Sequence, residues 1–416
     1  MASMTATEYR VYGYRWVVLG VYMLAVLANQ MLWITFAPIT GEATRYFGVS
    51  DLSIGLLSMV FMIVYLFAAI PASWAIDTYG IRLAVGIGAV LTGVFGLLRG
   101  LAGANFGLVL AAQIGIAVGQ PFILNAVTTV AAHWFPQDER ATAAGLGSLA
   151  IYVGILAGML VTPFLALHLG LQGMLLADGV FALVVAGAFV ALARERPPTP
   201  PCPPGQDARS LVLDGLKQML RQRDFQLLLA IFFVGLGVFN AVSTWIEDIL
   251  RPRGFSATQA GVTGGLMILG GIVGAIVLPL LSDHYRRRKP FLVLAVLGAL
   301  VGMVGLTYAG TYGLLLSAAF LLGFFLLSAG PIGFQYGAEI TYPAPEGTSN
   351  GLLLLMGQIA GIAFIFGMDA LKSPTTGSMT LSLLLLMGLV GMAFFLALAL
   401  PEAPLAEAAD AADFAD

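Results

Sequence analysis

The chain of 416 residues is 59% hydrophobic and only 10% charged, whereas a soluble globular domain is about 45–50% apolar and about 25% charged. It is therefore an integral membrane protein. The single cysteine, Cys202, excludes a disulfide framework and a cysteine-based metal site. The net charge of -3 says little about partners, because the distribution of charge among loops matters more in a membrane protein.

Apolar segments recur along the whole chain. About 20 residues cross the roughly 30 Å of hydrocarbon in a bilayer, and twelve such segments can be counted. The first runs past Pro38, too far for the core of a signal peptide, so we expect it to be retained. The sequence predicts an all-α membrane protein with twelve transmembrane helices. The predicted spans are 16–40, 53–76, 82–103, 106–133, 141–167, 173–193, 224–250, 258–282, 289–309, 312–335, 346–371 and 377–400.

A unit of helix, short hinge and helix occurs twice. Trp-Phe-Pro at 134–136 corresponds to Thr-Tyr-Pro at 341–343, and Ala-Ala-Gly at 143–145 corresponds to Ser-Asn-Gly at 349–351. The offset of 206 or 207 residues predicts two six-helix halves related by duplication. The predicted organisation is an N-terminal half at 1–193, a cytoplasmic linker with an amphipathic helix at 194–223, a C-terminal half at 224–400 and a disordered acidic tail at 401–416.

The distribution of Lys and Arg predicts the orientation. With both termini inside, 14 of the 19 basic residues fall on the cytoplasmic side, where positive charge concentrates in membrane proteins. We therefore expect a multi-pass protein of the inner (cell) membrane with both termini cytoplasmic. The five basic residues expected outside are Arg45, Arg99, Arg251, Arg253 and Lys372.

A charged turn follows the second and the eighth predicted span. It reads Asp-Thr-Tyr-Gly-Ile-Arg at 77–82 and Asp-His-Tyr-Arg-Arg-Arg at 283–288, again 206 residues apart. The turn resembles the loop signature of the major facilitator superfamily, Gly-x-x-x-Asp-Arg-x-Gly-Arg-Arg, without the first Gly and with Thr78 in place of Arg. The resemblance implies a major facilitator fold, in which two halves alternate about a midplane cavity.

Charged residues at the inner hinges are candidates for gating, because an ion pair between helix ends can form in one conformation and open in another. Glu339 and Glu346 are expected to pair with Arg82 or Arg140 across the halves when the inner gate is shut, and solvation at a loop is the alternative. The predicted gating residues are Asp77, Arg82, Arg140, Asp283, Glu339 and Glu346.

Polar and aromatic residues toward the middle of the spans are candidates for a substrate site, because polar groups in hydrocarbon usually face a cavity or a neighbouring helix. The superfamily resemblance implies that helices 1, 4, 7 and 10 line the cavity, with helices 5 and 11 contributing. The repeat offset also relates Trp33 to Phe239 and Tyr152 to Gln358. The predicted substrate-binding residues are Asn29, Gln30, Trp33, Gln120, Asn125, Tyr152, Phe239, Asn240, Gln335, Tyr336 and Gln358.

Each of these candidates has a structural alternative. A membrane tryptophan is often an interfacial anchor, a role that suits Trp16, whereas Trp33 lies past the middle of its span. The amides can form interhelical hydrogen bonds worth about 0.6 kcal/mol each. Asn29 and Gln30 point to different faces, so at most one is expected to reach a ligand. Aromatic faces suit a cation through cation–π attraction and equally suit a planar apolar ligand.

No carboxylate or histidine falls at the centre of a predicted span. A proton-coupled carrier generally needs an ionisable group in its path, so the pattern favours a facilitator or a weakly coupled carrier. Glu247 is the candidate proton site, with a role at the rim as the alternative. No catalytic carboxylate pair, Ser–His pairing or metal cluster converges on a helix face, so we expect neither an enzyme nor a cofactor or metal.

The hinges carry a more specific likeness. The stretches GFQYGAEITYP at 333–343 and EGTSNGLL at 346–353 resemble the family of feline leukaemia virus subgroup C receptor-related transporters. The stretches at 29–33, 46–50 and 120–124 are similar to that family too. The resemblance implies transport of choline and ethanolamine, with haem export also reported among animal members.

The same resemblance implies roles for three side chains. Trp33 matches the family's helix 1 tryptophan, which recognises the choline head, and Gln358 matches its helix 11 glutamine. Tyr152 stands where the family has a helix 5 glutamine, so substrate preference is expected to differ at this position.

The sequence therefore predicts a monomeric secondary carrier that moves a small organic molecule, a choline-like or other amine cation, across the lipid bilayer by alternating access. No nucleic acid partner is expected. One alternative is an exporter of haem or another planar or hydrophobic compound, with His133 and His284 as rim contacts. The other is a membrane sensor or receptor that does not transport.

Overall fold

The structure, a computed structural model, describes residues 10–199, 201, 219–342 and 346–402. Cys202, most of the predicted linker helix and the tail beyond residue 402 lie outside the described residues. Every regular element within the described ranges is helical. The helices are α1 (Arg15–Ile34), α2 (Thr40–Phe47), α3 (Asp51–Leu101), α4 (Phe106–Leu124), α5 (Val127–Trp134), α6 (Arg140–Leu192), α7 (Arg223–Thr244), α8 (Ile246–Leu250), α9 (Ala257–His284), α10 (Lys289–Tyr308), α11 (Tyr312–Thr341), α12 (Glu346–Ala370) and α13 (Thr380–Ala399), with 3₁₀ turns at Ala37–Ile39 and Arg251–Arg253.

Two of these helices are longer than a single membrane crossing. α3 has 51 residues and α6 has 53, and a straight helix of that length would reach about 75–80 Å. Each is interrupted by a glycine with positive φ, Gly80 at 83° and Gly170 at 69°, a conformation that glycine adopts without strain. Ten helical segments of the described chain are long and apolar enough to cross a membrane. Because α3 and α6 each supply two crossings, the prediction of twelve spans is confirmed.

Three spans are broken beside predicted site residues. α1 ends at Ile34, directly after Trp33, and a 3₁₀ turn leads into α2. α4 ends one residue before Asn125, and α7 ends four residues after Asn240. Where a helix ends, its last carbonyl groups lose their backbone donors, so other groups must satisfy them.

Contacts divide the described chain into two compact units. Unit 1 and unit 2 each combine segments from different parts of the sequence, and the end of the first predicted span and the start of the second pack with residues of the second sequence half. Unit 1 comprises the described residues of Met1–Thr35, Arg45–Val49 and Val64–Asp207, and unit 2 comprises those of Phe36–Thr44, Ser50–Ile63 and Ala208–Asp416.

Glycines let the backbones of neighbouring helices touch within each unit. In unit 1, a Cβ on Gly88 would lie 2.7 Å from the Gly119 carbonyl oxygen. In unit 2, a Cβ on Gly323 would lie 1.7 Å from the Met267 carbonyl oxygen. These close approaches fix the helices against each other and so fix the side chains that they carry.

Candidate functional site

Trp33 lies in the last turn of α1 and is buried, with 6% of its surface exposed. The carbonyl of the preceding residue, Leu32, accepts hydrogen bonds from Arg99 Nη1 at 3.0 Å and from Gln113 Nε2 at 3.4 Å. These two side chains supply donors where the helix ends. The peptide group that joins Leu32 to Trp33 is therefore held by residues of other spans.

Arg99 is the centre of a buried cluster in unit 1. Its Nη2 lies 3.4 Å from Asp178 Oδ2, and both side chains have 0% exposure. Arg99 also donates to Gln113 Oε1 at 3.0 Å and to Thr35 Oγ1 at 3.4 Å. Thr35 in turn donates to the Met31 carbonyl at 2.9 Å. The Arg99 network, defined as Arg99, Asp178, Gln113 and Thr35, thus contacts the backbone carbonyls of Met31 and Leu32, directly before Trp33.

Arg99, which the orientation count places on the outer side, is buried, and its charge meets Asp178 rather than solvent. Asp178 neutralises the charge, and Nη1 and Nη2 of the guanidinium donate hydrogen bonds, which are conditions under which a charge is retained in an interior. The sequence indicates this role, because Arg99 falls inside the predicted span 82–103 and an ionisable residue within a span is a candidate functional residue.

Asn29 and Gln30 are both buried, and Asn29 joins neighbouring helices. Asn29 Nδ2 donates to Thr92 Oγ1 at 3.0 Å and to the Ile116 carbonyl at 3.4 Å, which links α1 to α3 and α4. Gln30 Nε2 donates to Asn29 Oδ1 at 3.4 Å. Asn29 therefore makes interhelical hydrogen bonds, the alternative to a role in substrate binding.

Asn125 also joins helices. Its Oδ1 accepts from the Tyr65 hydroxyl at 2.8 Å, and its Nδ2 donates to Ser73 Oγ at 3.0 Å and to the Ala69 carbonyl at 3.3 Å. All three partners lie on α3, so Asn125 links the segment that follows α4 to that helix by hydrogen bonds. Gln120, one turn earlier, is buried.

The first span of α6 runs against α1. A Cβ on Gly154 would lie 2.5 Å from the Leu27 carbonyl oxygen and 2.9 Å from Gln30 Cβ, so Gln30 faces α6. Tyr152, two residues before Gly154, is partly buried. The structure therefore carries Gln30, Trp33 and Tyr152 on two helices of unit 1 whose backbones are in contact.

The repeat-equivalent residues of unit 2 are carried by α7 and α12, which are also in contact. Asn240 Nδ2 donates to the carbonyl of Gly357, the residue before Gln358, at 3.2 Å. Phe239 is buried and Gln358 is partly buried. These three candidates of unit 2 thus lie on one helix pair, and the predicted repeat partners of Phe239 and Gln358, Trp33 and Tyr152, lie on one helix pair of unit 1.

Gln335 and Tyr336, on α11, lie near the end of their helix. Gln335 is exposed and donates to Glu339 Oε1 at 3.0 Å. Tyr336 is fully buried, and its hydroxyl donates to the Pro401 carbonyl at 3.1 Å. Tyr336 therefore ties α11 to the chain that follows α13.

Glu339 has its partner inside unit 2. Arg288 Nε and Nη2 both lie 3.1 Å from Glu339 Oε1, and Arg288 Nη1 also binds Asp283. The Glu339 side chain is 8% exposed, so it is buried against Arg288 in this structure. The partner in this structure is Arg288 rather than the expected Arg82 or Arg140.

The gating candidates of unit 1 make local contacts at their hinges. The backbone nitrogen of Arg82 donates to Glu195 Oε2 at 2.8 Å. Arg140 donates from Nε to the Phe135 carbonyl at 3.3 Å and from Nη2 to the Ala132 carbonyl at 3.1 Å. Asp77 and His284 are exposed. His133 Nδ1 lies 3.3 Å from Glu195 Oε1. Glu346 begins α12, and its side chain lies outside the described residues.

Glu247 belongs to a five-charge cluster in unit 2, made of Asp51, Glu247, Asp248, Arg251 and Lys372. Arg251 binds Glu247 Oε2 at 2.9 Å and Asp51 Oδ2 at 3.0 Å, and it also binds Asp248. Lys372 Nζ lies 2.8 Å from Asp248 Oδ1 and also binds Asp51. Three carboxylates thus share two cations.

The surplus of negative charge affects Glu247, which lies beyond the end of the span Arg223–Thr244. Burial raises the pKa of Glu247 to about 7, and Arg251 offsets only part of this effect. Burial also raises the pKa of Asp248, with Lys372 and Arg251 opposing the shift. Glu247 thus has a pKa well above the ordinary range of a carboxyl group, and its role as a proton site remains a prediction.

A groove of about 640 Å³ in unit 1 contains none of the predicted substrate-binding residues. It is lined by Arg82 and Glu195 at one end and by apolar side chains such as Leu83 and Val190, which are 52% and 48% exposed.

A bundle of twelve apolar spans, with uncharged aromatic and amide side chains at broken helices, defines a multi-pass membrane transporter. The chain belongs to the Major Facilitator Superfamily, whose family model matches residues 18–365. Several of its relatives are named as transporters.

Two relatives illustrate the likeness. Solute carrier family 49 member A3 of Xenopus tropicalis is 31% identical over 388 residues, covering 88% of this chain and 80% of the relative. The choline/ethanolamine transporter flvcr2b of Danio rerio is 30% identical over 385 residues, covering 86% of this chain and 78% of the relative. The chain is thus related to the feline leukaemia virus subgroup C receptor family, as its hinge motifs predict.

Solved structures agree with the fold. A bacterial homologue of the human lysosomal transporter Spinster, in an inward-facing and unoccupied conformation, has a TM-score of 0.75 at 16% identity and covers 94% of this chain and 98% of its own. At this identity the likeness concerns the fold alone.

Proposed function

We propose that the protein is a facilitative carrier for a choline-like or other amine cation, acting by alternating access as a monomer with both termini in the cytoplasm. The observation that carries the substrate class is the buried Trp33 at the end of α1, in a chain related to proteins named choline/ethanolamine transporters. An indole face attracts an ammonium group by about 0.5–2 kcal/mol.

Further groups suit the rest of such a substrate. In unit 1, Tyr152 adds a second aromatic face, and Gln30 offers an amide oxygen or nitrogen to a hydroxyl or amine group. In unit 2, Gln358 offers an amide in the same way. Asn29 and Asn125 are better explained as links between helices, because their amides bind neighbouring spans.

The absence of charge among the predicted substrate-binding residues supports facilitation. A monovalent cation gains about 2.3 kcal/mol on entering a compartment that is 100 mV more negative, so the membrane potential can drive accumulation without a coupled ion. In this proposal, ion pairs such as Arg288–Glu339 at the hinges open and close with the transport cycle, while the substrate undergoes no chemical change.

The test is saturable uptake of labelled choline by proteoliposomes that contain the purified chain. We expect Trp33→Ala to abolish saturable uptake and Trp33→Phe to keep part of it, because a phenyl face retains a weaker cation–π attraction. Trp74→Ala is the matched control, since Trp74 is 59% exposed and its loss should leave uptake unchanged.

Each alternative has its own outcome. Absence of saturable choline uptake by folded wild-type protein overturns the cation proposal. Uptake or efflux of haemin in its place supports the exporter of planar compounds. Saturable choline binding without any flux supports a sensor. A requirement for an inward proton gradient, lost in Glu247→Gln, would replace facilitation by proton coupling.

A further inference from the structure

We propose that Arg99 is a positioning residue, which sets the orientation of Trp33 by holding the break in α1. This inference rests on the proposed function in assuming that Trp33 meets the substrate. The orientation of Trp33 itself can be measured with no substrate present.

The carbonyl of Leu32 and the nitrogen of Trp33 belong to the same planar peptide group. Helix α1 ends at Ile34, and Arg99 and Gln113 donate to the Leu32 carbonyl at 3.0 and 3.4 Å. Side chains of α3 and α4 therefore set the plane from which Trp33 extends.

Arg99 also contacts Thr35, which follows Trp33 in the chain. Arg99 Nη2 donates to Thr35 Oγ1 at 3.4 Å, and this hydroxyl donates to the Met31 carbonyl at 2.9 Å. One guanidinium thus contacts positions 32 and 35 at once. Its fork of donors makes this double contact possible.

Stability alone does not require a buried ion pair at the position of Arg99 and Asp178. Replacing such a pair by apolar residues of similar volume is often neutral or stabilising. Apolar residues would fill the space between α1, α3 and α6, but they would leave the Leu32 carbonyl with fewer donors. The Arg99–Asp178 pair is therefore explained by what it holds in place.

The test follows each tryptophan by ¹⁹F NMR in the full chain labelled with 5-fluorotryptophan. The chain has five tryptophans, and Trp33→Phe assigns the resonance of Trp33 by its loss. The variant Arg99→Met with Asp178→Leu removes the pair without leaving a buried charge. We expect the Trp33 resonance to shift or split, while those of the four other tryptophans stay in place.

A second ion pair of unit 1 provides the matched control. Arg15 lies 3.1 Å from Glu139, and its guanidinium lies over the Trp16 ring at 5.5 Å. Arg15→Met with Glu139→Leu should move the Trp16 resonance and leave that of Trp33 unchanged. If the Arg99→Met variant does not fold, Gln113→Leu keeps the ion pair, removes one donor to the Leu32 carbonyl and should itself shift the Trp33 resonance.

Kinetics add a readout that a purely structural role would not move. With Arg99→Met and Asp178→Leu, we expect the KM for choline to rise about tenfold, equivalent to about 1.4 kcal/mol, with maximal velocity per folded carrier changed less than about twofold. Arg99→Lys should restore part of the affinity, because an ammonium group can still donate to the Leu32 carbonyl.

The outcomes separate the two proposals. An unchanged Trp33 resonance in a folded variant that lacks Arg99 or Gln113 overturns the positioning role, whatever the substrate is. A shifted resonance together with no choline uptake by the wild type supports the positioning role and overturns the choline assignment.

Discussion

The backbone nitrogen of Gly41 donates a hydrogen bond to Glu247 Oε2 at 3.0 Å, and the two residues are 206 positions apart. This separation equals the offset of the sequence repeat, so the repeat predicts that the two positions are equivalent. Gly41 contributes a backbone donor and Glu247 a carboxylate acceptor.

Gly41→Ala is expected to disrupt the five-charge cluster. A Cβ at this position would lie 2.2 Å from Arg251 Nη1, and Arg251 cannot retreat without leaving its carboxylates. Overpacking of this kind costs about 1–3 kcal/mol, so the thermal unfolding midpoint in detergent should fall. Gly20→Ala on α1 is the control, because nothing lies within 4 Å of its Cβ. Equal shifts for both variants would contradict the prediction.

Glu247 should make stability depend on pH. Its pKa is about 7 in the folded chain and 4.5 in the absence of the fold, so the folded state binds the proton more tightly. The contribution of this group is complete below pH 4.5 and is lost as the pH rises through 7, by about 3 kcal/mol at most.

Thermal unfolding at pH 5.5 and pH 8 measures this effect. The unfolding midpoint of the wild type should be higher at pH 5.5, and Glu247→Gln should reduce the difference. The groups that face Glu247 are Asp51, Asp248, Arg251 and Lys372, and they remain in the variant. An identical pH response in both proteins would show that another group titrates.

The turns of α3 and α6 should respond differently to alanine. Gly80 and Gly170 both have positive φ, which costs a non-glycine residue about 1–2 kcal/mol. A Cβ on Gly80 would also lie 2.4 Å from the carboxylate of Glu195, whereas nothing lies within 4 Å of one on Gly170. Gly80→Ala should therefore lower the unfolding midpoint more. Adding Glu195→Ala should remove the excess, and its persistence would contradict this explanation.

Arg288→Met should be more damaging than Arg82→Met. Arg288 neutralises Glu339, whose side chain is 8% exposed, and leaving a buried charge without its partner costs about 3–5 kcal/mol. The side chain of Arg82 is exposed, and its contact with Glu195 is made by the backbone. Adding Glu339→Gln to Arg288→Met should recover much of the stability. Equal losses for the two single variants would argue against the Arg288–Glu339 pair.

The sequence predicts the fold because each signal it uses is local or periodic. Twenty apolar residues define a span wherever they occur, and the repeat at 134–136 and 341–343 shows how the spans are grouped. The hinge motifs also predict the family. The roles of Trp33, Tyr152 and Gln358 in substrate binding remain predictions.

The buried charges of unit 1 could not be predicted in the same way. One arginine among twenty apolar residues changes the mean hydropathy of a window little, and Asp178 is 79 positions away from Arg99, so no local pattern shows that they pair. The partner of Glu339 was missed for a related reason. Arg288 is 51 positions away, and a loop motif does not say which charge its arginine meets.

The Arg99–Asp178 pair also constrains biosynthesis. Asp178 is made 79 residues after Arg99, which at about 5–20 residues per second takes roughly 4–16 s. An arginine in a membrane helix opposes insertion by up to about 3.5 kcal/mol, and during this interval its counter-ion does not yet exist. The charge that neutralises Arg99 in the third crossing therefore becomes available only after the sixth crossing has been synthesised, so this part of the third crossing reaches its final packing late in synthesis.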